Sequence, residues 1–149
     1  MALDRDGSAG YLTNWAARLF ARELERQLLP TGIASAYMPV MFALSAGEAL
    51  TQKELAQRAA VEQPTMAATL NRMERDGFIT RVPDPTDRRS ALVSLTETAR
   101  GHLPEIERII ASINEIALGA LEPDEQAAYG RLLRKMIDGL EARDKTLGS

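Results

Sequence analysis

Apolar residues recur along this chain with two different periods, and the switch between them marks its organisation. From Tyr11 to Leu29, the residues Leu12, Trp15, Ala16, Leu19, Phe20, Leu24 and Leu28 fall mostly three or four apart. That spacing predicts a helix with one wide apolar stripe, and Arg18, Arg22 and Arg26 run along another face. Residues 1–10 are polar and glycine-containing, which predicts a frayed end. Pro30-Thr31-Gly32 breaks the helix. Residues 35–46 then predict a short helix bearing Tyr37, Met38, Met41, Phe42 and Leu44, with Pro39 in its first turn and Ser45-Ala46-Gly47 at its end. Late in the chain Leu103, Ile106, Ile109, Ile110, Ile113, Ala117 and Leu121 predict a long helix from a Thr96 cap to about Leu121, with Pro104 in its early turns. Glu122-Pro123-Asp124 starts a last helix whose stripe is Tyr129, Leu132, Leu133, Met136, Ile137 and Leu140, and residues 143–149 read as a polar tail.

Between Thr51 and Thr96 the period changes from that of helices to that of strands. Thr51 with Glu54 forms a capping box, and Leu55, Ala56 and Ala59 make the inner face of a short helix. Ala60-Val61-Glu62-Gln63 is the joint, and Pro64 suits the first turn of a second helix. Met66, Leu70, Met73 and Gly77 turn one face of that helix inward, with Gly77 as a left-handed stop. Phe78 to Val82 and Ala91 to Leu95 alternate as two strands, joined by the loop 83–90 with its two prolines and a turn-forming Asp. A tight helix pair followed by a two-stranded ribbon is the winged helix-turn-helix pattern.

The inward face fixes what the second helix presents outward. Gln63, Pro64, Thr65, Ala68, Thr69 and Arg72 stand at its start and on its outer side. Gln reads adenine edges, Thr meets several bases, Arg serves guanine or phosphate, and a small Ala68 permits close approach or contact with a thymine methyl. These positions read equally well as a solvated helix face, and the ribbon decides between the two. Its stiff tip carries Arg88 and Arg89, and an arginine there enters a narrow minor groove at little ordering cost. Asp87, two residues before Arg89, is placed to hold that guanidinium.

The segment DGFITRVPDPTDRRSALVSLTETARGHL resembles the wing region of the MarR family of transcription regulators, from the Asp-x-x-Asp-Arg-Arg tip to the Leu-Thr that opens the next helix. The resemblance extends upstream through LTQKELAQRAAVEQPTMAATLNRMERDGF and more loosely over the whole chain. It implies that Arg89 enters the minor groove, Arg88 contacts the backbone beside it, and Asp87 steadies the tip. It also implies a single domain over 1–149. About 35–96 would form the DNA-binding lobe, and about 11–29 and 97–142 the helices that pair two copies. Members commonly hold a small aromatic effector in a cleft, for which Trp15, Tyr37, Met38, Met41 and His102 are candidates here; each reads equally well as core filler. Two residues depart from the family pattern: Ala68, where many members have a polar or basic side chain, and Ala99, where many have Gly.

Composition trims this picture more than it builds it. The chain has 149 residues, of which 45% are hydrophobic, enough for one domain with a substantial core. It has no cysteine, which removes disulfides, thiol switches and thiolate metal sites, and a single histidine, His102. No phosphate loop or nucleophile motif is present, so neither catalysis nor a cofactor is expected. No apolar run approaches a membrane span of about 20 residues and no secretion signal opens the chain, which makes the cytoplasm the expected compartment. The formal net charge is −3; only the block 51–96 is net positive, with 7 basic against 6 acidic side chains. Binding to DNA must therefore rest on placed arginines and on contacts doubled in a dimer.

The expectation is a mainly helical winged helix-turn-helix protein with a two-stranded wing. It would act as a homodimeric, ligand-responsive repressor on double-stranded, pseudo-palindromic DNA, without association with a membrane. A winged-helix module that binds a protein partner is the alternative, and the Asp87-Arg88-Arg89 tip with Arg72 is what such a module would not need.

Overall fold

The computed structural model describes residues 1–148. Two compact units are distinguishable, Met1–Ala111 and the remainder from Ser112, each with its own packing. The first opens with helix α1 (Ala9–Leu28), followed by single 3-10 turns at Leu29–Thr31 and Ser35–Tyr37 and by α2 (Met38–Leu44). Strand β1 (Leu50–Thr51), α3 (Gln52–Ala59), α4 (Gln63–Arg75), β2 (Ile79–Asp84) and β3 (Asp87–Leu95) come next. Helix α5 (Glu97–Leu118) contains the boundary between the units, and α6 (Pro123–Leu147) closes the chain.

Local chemistry explains most of these limits. The Thr51 hydroxyl accepts from Glu54 N–H at 3.2 Å while the Glu54 carboxylate accepts from Thr51 N–H at 2.8 Å, so α3 starts on a complete capping box. Gly77, at φ 79°, turns the chain out of α4 in the left-handed region. Thr96 then fastens the far side: its hydroxyl accepts from Ala99 N–H, capping α5, and donates to Gly77 C=O at 2.6 Å. The end of α4 and the start of α5 are thereby held together. The core of the first unit is formed by Leu28, Tyr37, Met38, Val40, Met41, Leu44, Leu55, Met66, Leu70, Met73, Ile79 and Val93, all nearly inaccessible. At roughly 1.5–3 kcal/mol for each large apolar side chain, this core anchors α4 and the sheet to each other.

Several expectations need correction. The sheet has three strands in the order β1-β3-β2, because Leu50 pairs with Val93 and Thr51 with Leu92 ahead of the helix cap. A two-residue strand is too short to show a period. The segment 83–90 is not a loop: β2 continues to Asp84, β3 begins at Asp87, and only Pro85-Thr86 turn. Gln63 belongs to the first turn of α4 and not to the joint, where Ala60 takes a left-handed conformation at φ 53°. The N-terminus is not frayed up to residue 10, since the Ser8 hydroxyl caps α1 by accepting from Tyr11 N–H at 3.2 Å. Phe42 does not join the core with its neighbours and is 60% exposed.

In the second unit α6 runs to Leu147, so most of the supposed tail is helix. The Glu125 carboxylate accepts from Glu122 N–H at 2.8 Å, and Gln126 donates to the carbonyls of Leu118 and Leu121, which fixes the entry to α6. No residue of α6 is fully buried, and Tyr129, Leu132, Ile137 and Leu140 are exposed. Among the described residues, no single helix is long and apolar enough to cross a membrane.

Candidate nucleic-acid interface

Helix α4 and the β2–β3 hairpin present the residues singled out from the sequence. Met66, Leu70 and Met73 hold one face of α4 in the core. Gln63, Pro64, Thr65, Ala68 and Arg72 are exposed on the remainder. Thr69 is half-buried, and its hydroxyl donates to Thr65 C=O at 3.1 Å, which commits its proton to the helix itself. The N-cap Glu62 makes no side-chain capping bond, so the first N–H groups of α4 stay open. Arg72 does not extend freely: its guanidinium lies 5.7 Å from the centre of the Tyr37 ring.

Two further residues on this outer face escaped the sequence reading. Arg75 is seven residues after Ala68, two helical turns along the same stripe, and the same arithmetic puts Asn71 beside it. Carrying the 3.6-residue period forward from Ala68 is the signal that finds both. Arg75 reaches Asp76 Oδ1 at 3.2 Å, and the Tyr37 hydroxyl donates to the other Asp76 oxygen. The Tyr37 hydroxyl bond above all holds the Asp76 carboxyl below its ordinary value; desolvation opposes it, and Arg75 adds a lesser lowering. Burial, then the same bond, raise the Tyr37 phenol. Tyr37 thus carries the cationic end of α4 from below, with its ring under Arg72 and its hydroxyl on the partner of Arg75.

The hairpin is built to expose its arginines. Pairing runs in register from Ile79 with Leu95 to Pro83 with Ala91, then jumps to Asp84 with Asp87. Arg88, Arg89 and Ser90 consequently stand opposite no β2 residue, and both arginines are exposed. The turn is locked by Asp84, whose carboxylate accepts from both the N–H and the hydroxyl of Thr86 at 2.9 and 2.8 Å. Those two bonds hold the Asp84 carboxyl below its usual range. Asp87 acts on the backbone: its carboxylate accepts from Arg89 N–H at 2.9 Å, and the two side chains make no ion pair. The short Asp side chain meets the nearest donor, the amide two residues on, before it can meet a long and flexible guanidinium. It therefore shapes the strand from which Arg89 projects.

Between hairpin and helices lies a groove of about 330 Å³, lined by Thr51, Gln52 and Lys53 of the β1–α3 corner, Gln63 and Leu70 of α4, and Arg81, Arg89, Ser90 and neighbours of the sheet. Three cations border it and no carboxylate does. Arg81, Gln52 and Lys53 were also missed; Arg81 shares with Ile79 the strand face that turns toward α4, and alternation gives that placement.

The proposed effector residues do not gather in the same way. Tyr37, Met38 and Met41 are core residues, each at most 3% exposed. Tyr37 and His102 both lie against Phe78, with ring centroids 5.7 Å apart in each pair. Trp15 contacts Arg5 and Tyr11 on the outside of α1 instead.

A three-helix reader, a three-stranded sheet and an arginine-bearing hairpin define a winged helix-turn-helix regulator of transcription. The family model that matches residues 31–90 is described as the MarR family. The HTH-type transcriptional regulator YwoH of Bacillus subtilis is 32% identical over 83% of this chain and 90% of its own length. The HTH-type transcriptional repressor NicR of Pseudomonas putida is 30% identical over 89% of this chain and 84% of its own. A solved structure of BpsR from Bordetella bronchiseptica, whose DNA binding is regulated by 6-hydroxynicotinic acid, superposes with a TM-score of 0.82 at 25% identity. That match covers 93% of this chain and 99% of BpsR. The chain belongs to the MarR family of DNA-binding transcription regulators; the relatives it matches are regulators and not enzymes.

Proposed function

We propose that this protein is a homodimeric repressor that reads a pseudo-palindromic operator and is released by a small aromatic acid. The observation that carries the DNA contact is the pair of cationic surfaces at the hairpin and on α4: Arg88 and Arg89 project from an unpaired stretch of β3, beside Gln63, Thr65, Ala68, Arg72 and Arg75 on one outer face. In this reading α4 lies in the major groove and the hairpin reaches the flanking minor groove. Arg89 enters that groove, Arg88 meets the phosphates beside it, and Asp87 shapes the strand they share. Residues 35–96 form the DNA-binding lobe.

Exposed apolar surface supports the second copy. Tyr11, Leu12, Trp15 and Leu19 on α1, Ile116 on α5, and Leu132, Ile137 and Leu140 on α6 are all more than a third exposed. Covering the part of each that is still exposed contributes roughly 0.5–2 kcal/mol, and a two-fold pair places two α4 helices about 34 Å apart, one turn of DNA. The segments near 11–29 and 97–142 supply that contact. Repression follows NicR, and the response to an aromatic acid follows BpsR. Trp15, Tyr37, Met38, Met41 and His102 remain the effector residues of this reading, with His102 and Trp15 the two not sealed in the core. An effector acts by favouring a separation of the two α4 helices that DNA does not accept.

Footprinting on the DNA flanking the gene tests this. Two protected half-sites one helical turn apart, lost on adding 6-hydroxynicotinic acid or another aromatic acid, are expected. A single unpaired half-site contradicts the dimer, and a footprint indifferent to a panel of aromatic acids contradicts the effector.

A further inference from the structure

Arg81 spans the seam between α4 and the hairpin. Its Nη2 donates to Asn71 Oδ1 at 2.9 Å, and its Nε lies 3.8 Å from Glu74 Oε2. Asn71 and Glu74 are three residues apart, so a single guanidinium holds two neighbouring positions on one side of the helix. The side chain is 28% exposed, and its Nε is shut from solvent without a hydrogen-bond partner of its own. The same residue is paired through its backbone with Val93 of β3 and borders the groove that also holds Gln63 and Arg89.

We propose that Arg81 is a positioning residue for DNA recognition: by holding Asn71 and Glu74 it sets the separation between α4 and the hairpin that carries Arg89. This rests on the assignment of α4 and the hairpin as the two DNA-contacting surfaces. Those surfaces enter adjacent grooves of one duplex, so their spacing must be right before binding or be ordered at binding, at a cost in affinity. Only the Asp76-Gly77-Phe78 bend links them in sequence, and Gly77 there has a backbone with wide freedom. The buried core joins α4 to the sheet from beneath, and Arg81 adds a polar cross-link at the outer side of that seam, nearer the DNA-facing surfaces. The planar guanidinium bonds Asn71 through Nη2 while its Nε faces the Glu74 carboxylate as an ion pair, an arrangement the point charge of a lysine does not reproduce. Glu74 offsets the Arg81 charge, which leaves the arginine suited to structure and not to phosphate.

The test is a double-mutant cycle on one operator duplex. Dissociation constants are measured for wild type, Arg81→Lys, Arg81→Gln, Asn71→Ala, Arg89→Ala, and the pairs of Arg81→Lys with each of Asn71→Ala and Arg89→Ala. Their dependence on salt and the thermal midpoints are measured alongside. Arg81→Lys and Asn71→Ala are each expected to weaken binding about tenfold, with the salt slope unchanged. Their double variant is expected to bind no worse than the weaker single one, and Arg89→Ala to lose most of its effect in the Arg81→Lys background. A merely structural role would lower the midpoint without that coupling. Additive effects in both pairs overturn the proposal. So does a salt slope that falls by about two per dimer in Arg81→Gln while Asn71→Ala is silent, because Arg81 is then a phosphate contact. An Arg89→Ala variant that binds like wild type removes the underlying assignment, and the proposal with it; additivity beside a weakened Arg89→Ala removes the proposal alone.

Discussion

Replacing Ala60 by glycine, and Gly77 by alanine, changes the same backbone feature in opposite directions at the two ends of the α4 segment. Ala60 sits at φ 53° and ψ 42° at the end of α3, and no other non-glycine residue is described with positive φ. A Cβ in that region costs about 1–2 kcal/mol. Glycine removes this strain but gives the unfolded chain extra freedom worth about 0.4–1 kcal/mol. Ala60 is exposed, so no packing is lost, and the net stabilisation is about 0.5–1 kcal/mol. Gly77 sits at φ 79°, and an added Cβ would meet nothing within 4 Å. Its replacement by alanine therefore costs conformational strain of about 1–2 kcal/mol, offset in part by the lost freedom of the unfolded chain, for a net destabilisation of about 0.5–1 kcal/mol. Urea unfolding followed by circular dichroism reads both, at fixed protein concentration because dimerisation shifts midpoints. With a slope of about 2 kcal/mol per molar, the midpoint rises by about 0.3–0.5 M for Ala60→Gly and falls by about the same amount for Gly77→Ala, at unchanged slope. A lower midpoint for Ala60→Gly, or no change for Gly77→Ala, would refute the reasoning.

Removing the Tyr37 hydroxyl (Tyr37→Phe) is expected to destabilise the protein at pH 7. The Asp76 carboxyl is held below its unfolded value, chiefly by that hydroxyl, so the stabilisation is fully present above the ordinary carboxylate range and is lost as pH falls through the lowered folded value. The gap between wild-type and variant urea midpoints should accordingly close on going from pH 7 to about pH 3; a gap that widens in acid contradicts the bond. Placing charges on α6 with Leu132→Glu and Leu140→Glu is expected to yield monomers in sedimentation at micromolar concentration with the helical circular-dichroism signal of the first unit retained. Dimers of unchanged mass would show that α6 takes no part in the pairing.

Much of this architecture was legible because amphipathic helices write their inner faces at fixed spacing. Met66, Leu70 and Met73 fall in the core as the 3.6-residue period requires, and the Thr51–Glu54 box forms as written. The shortfalls have separate physical causes. Strand β1 consists of two residues, and the pairing that makes it a strand comes from Leu92 and Val93, some forty residues later. The strands of the wing are legible by alternation, but two prolines and an Asp make its tip, 83–90, read as a loop; Pro83 in fact stays in β2, next to the register shift where the regular ladder stops. The last turns of α6 carry Arg143, Asp144 and Lys145, exposed charged residues whose polarity reads as a tail although the backbone there is helical. At the interface, Arg88 and Arg89 could be found from the sequence because the tip is local. The partners of Arg81 and Tyr37 are separated from them by ten and thirty-nine residues, and only the fold brings them together.

The central claim is that α4 and the hairpin bind DNA through the arginine at the wing. The most direct measurement is a titration of wild type and Arg89→Ala against the DNA beside the gene, at two salt concentrations, in excess random competitor. Specific wild-type binding that weakens with salt is expected, and Arg89→Ala should bind at least about tenfold more weakly, with a salt slope lower by about two per dimer. Equal affinity for the DNA and the competitor, with Arg89→Ala indistinguishable from wild type, would contradict the account and favour a winged-helix module that binds protein.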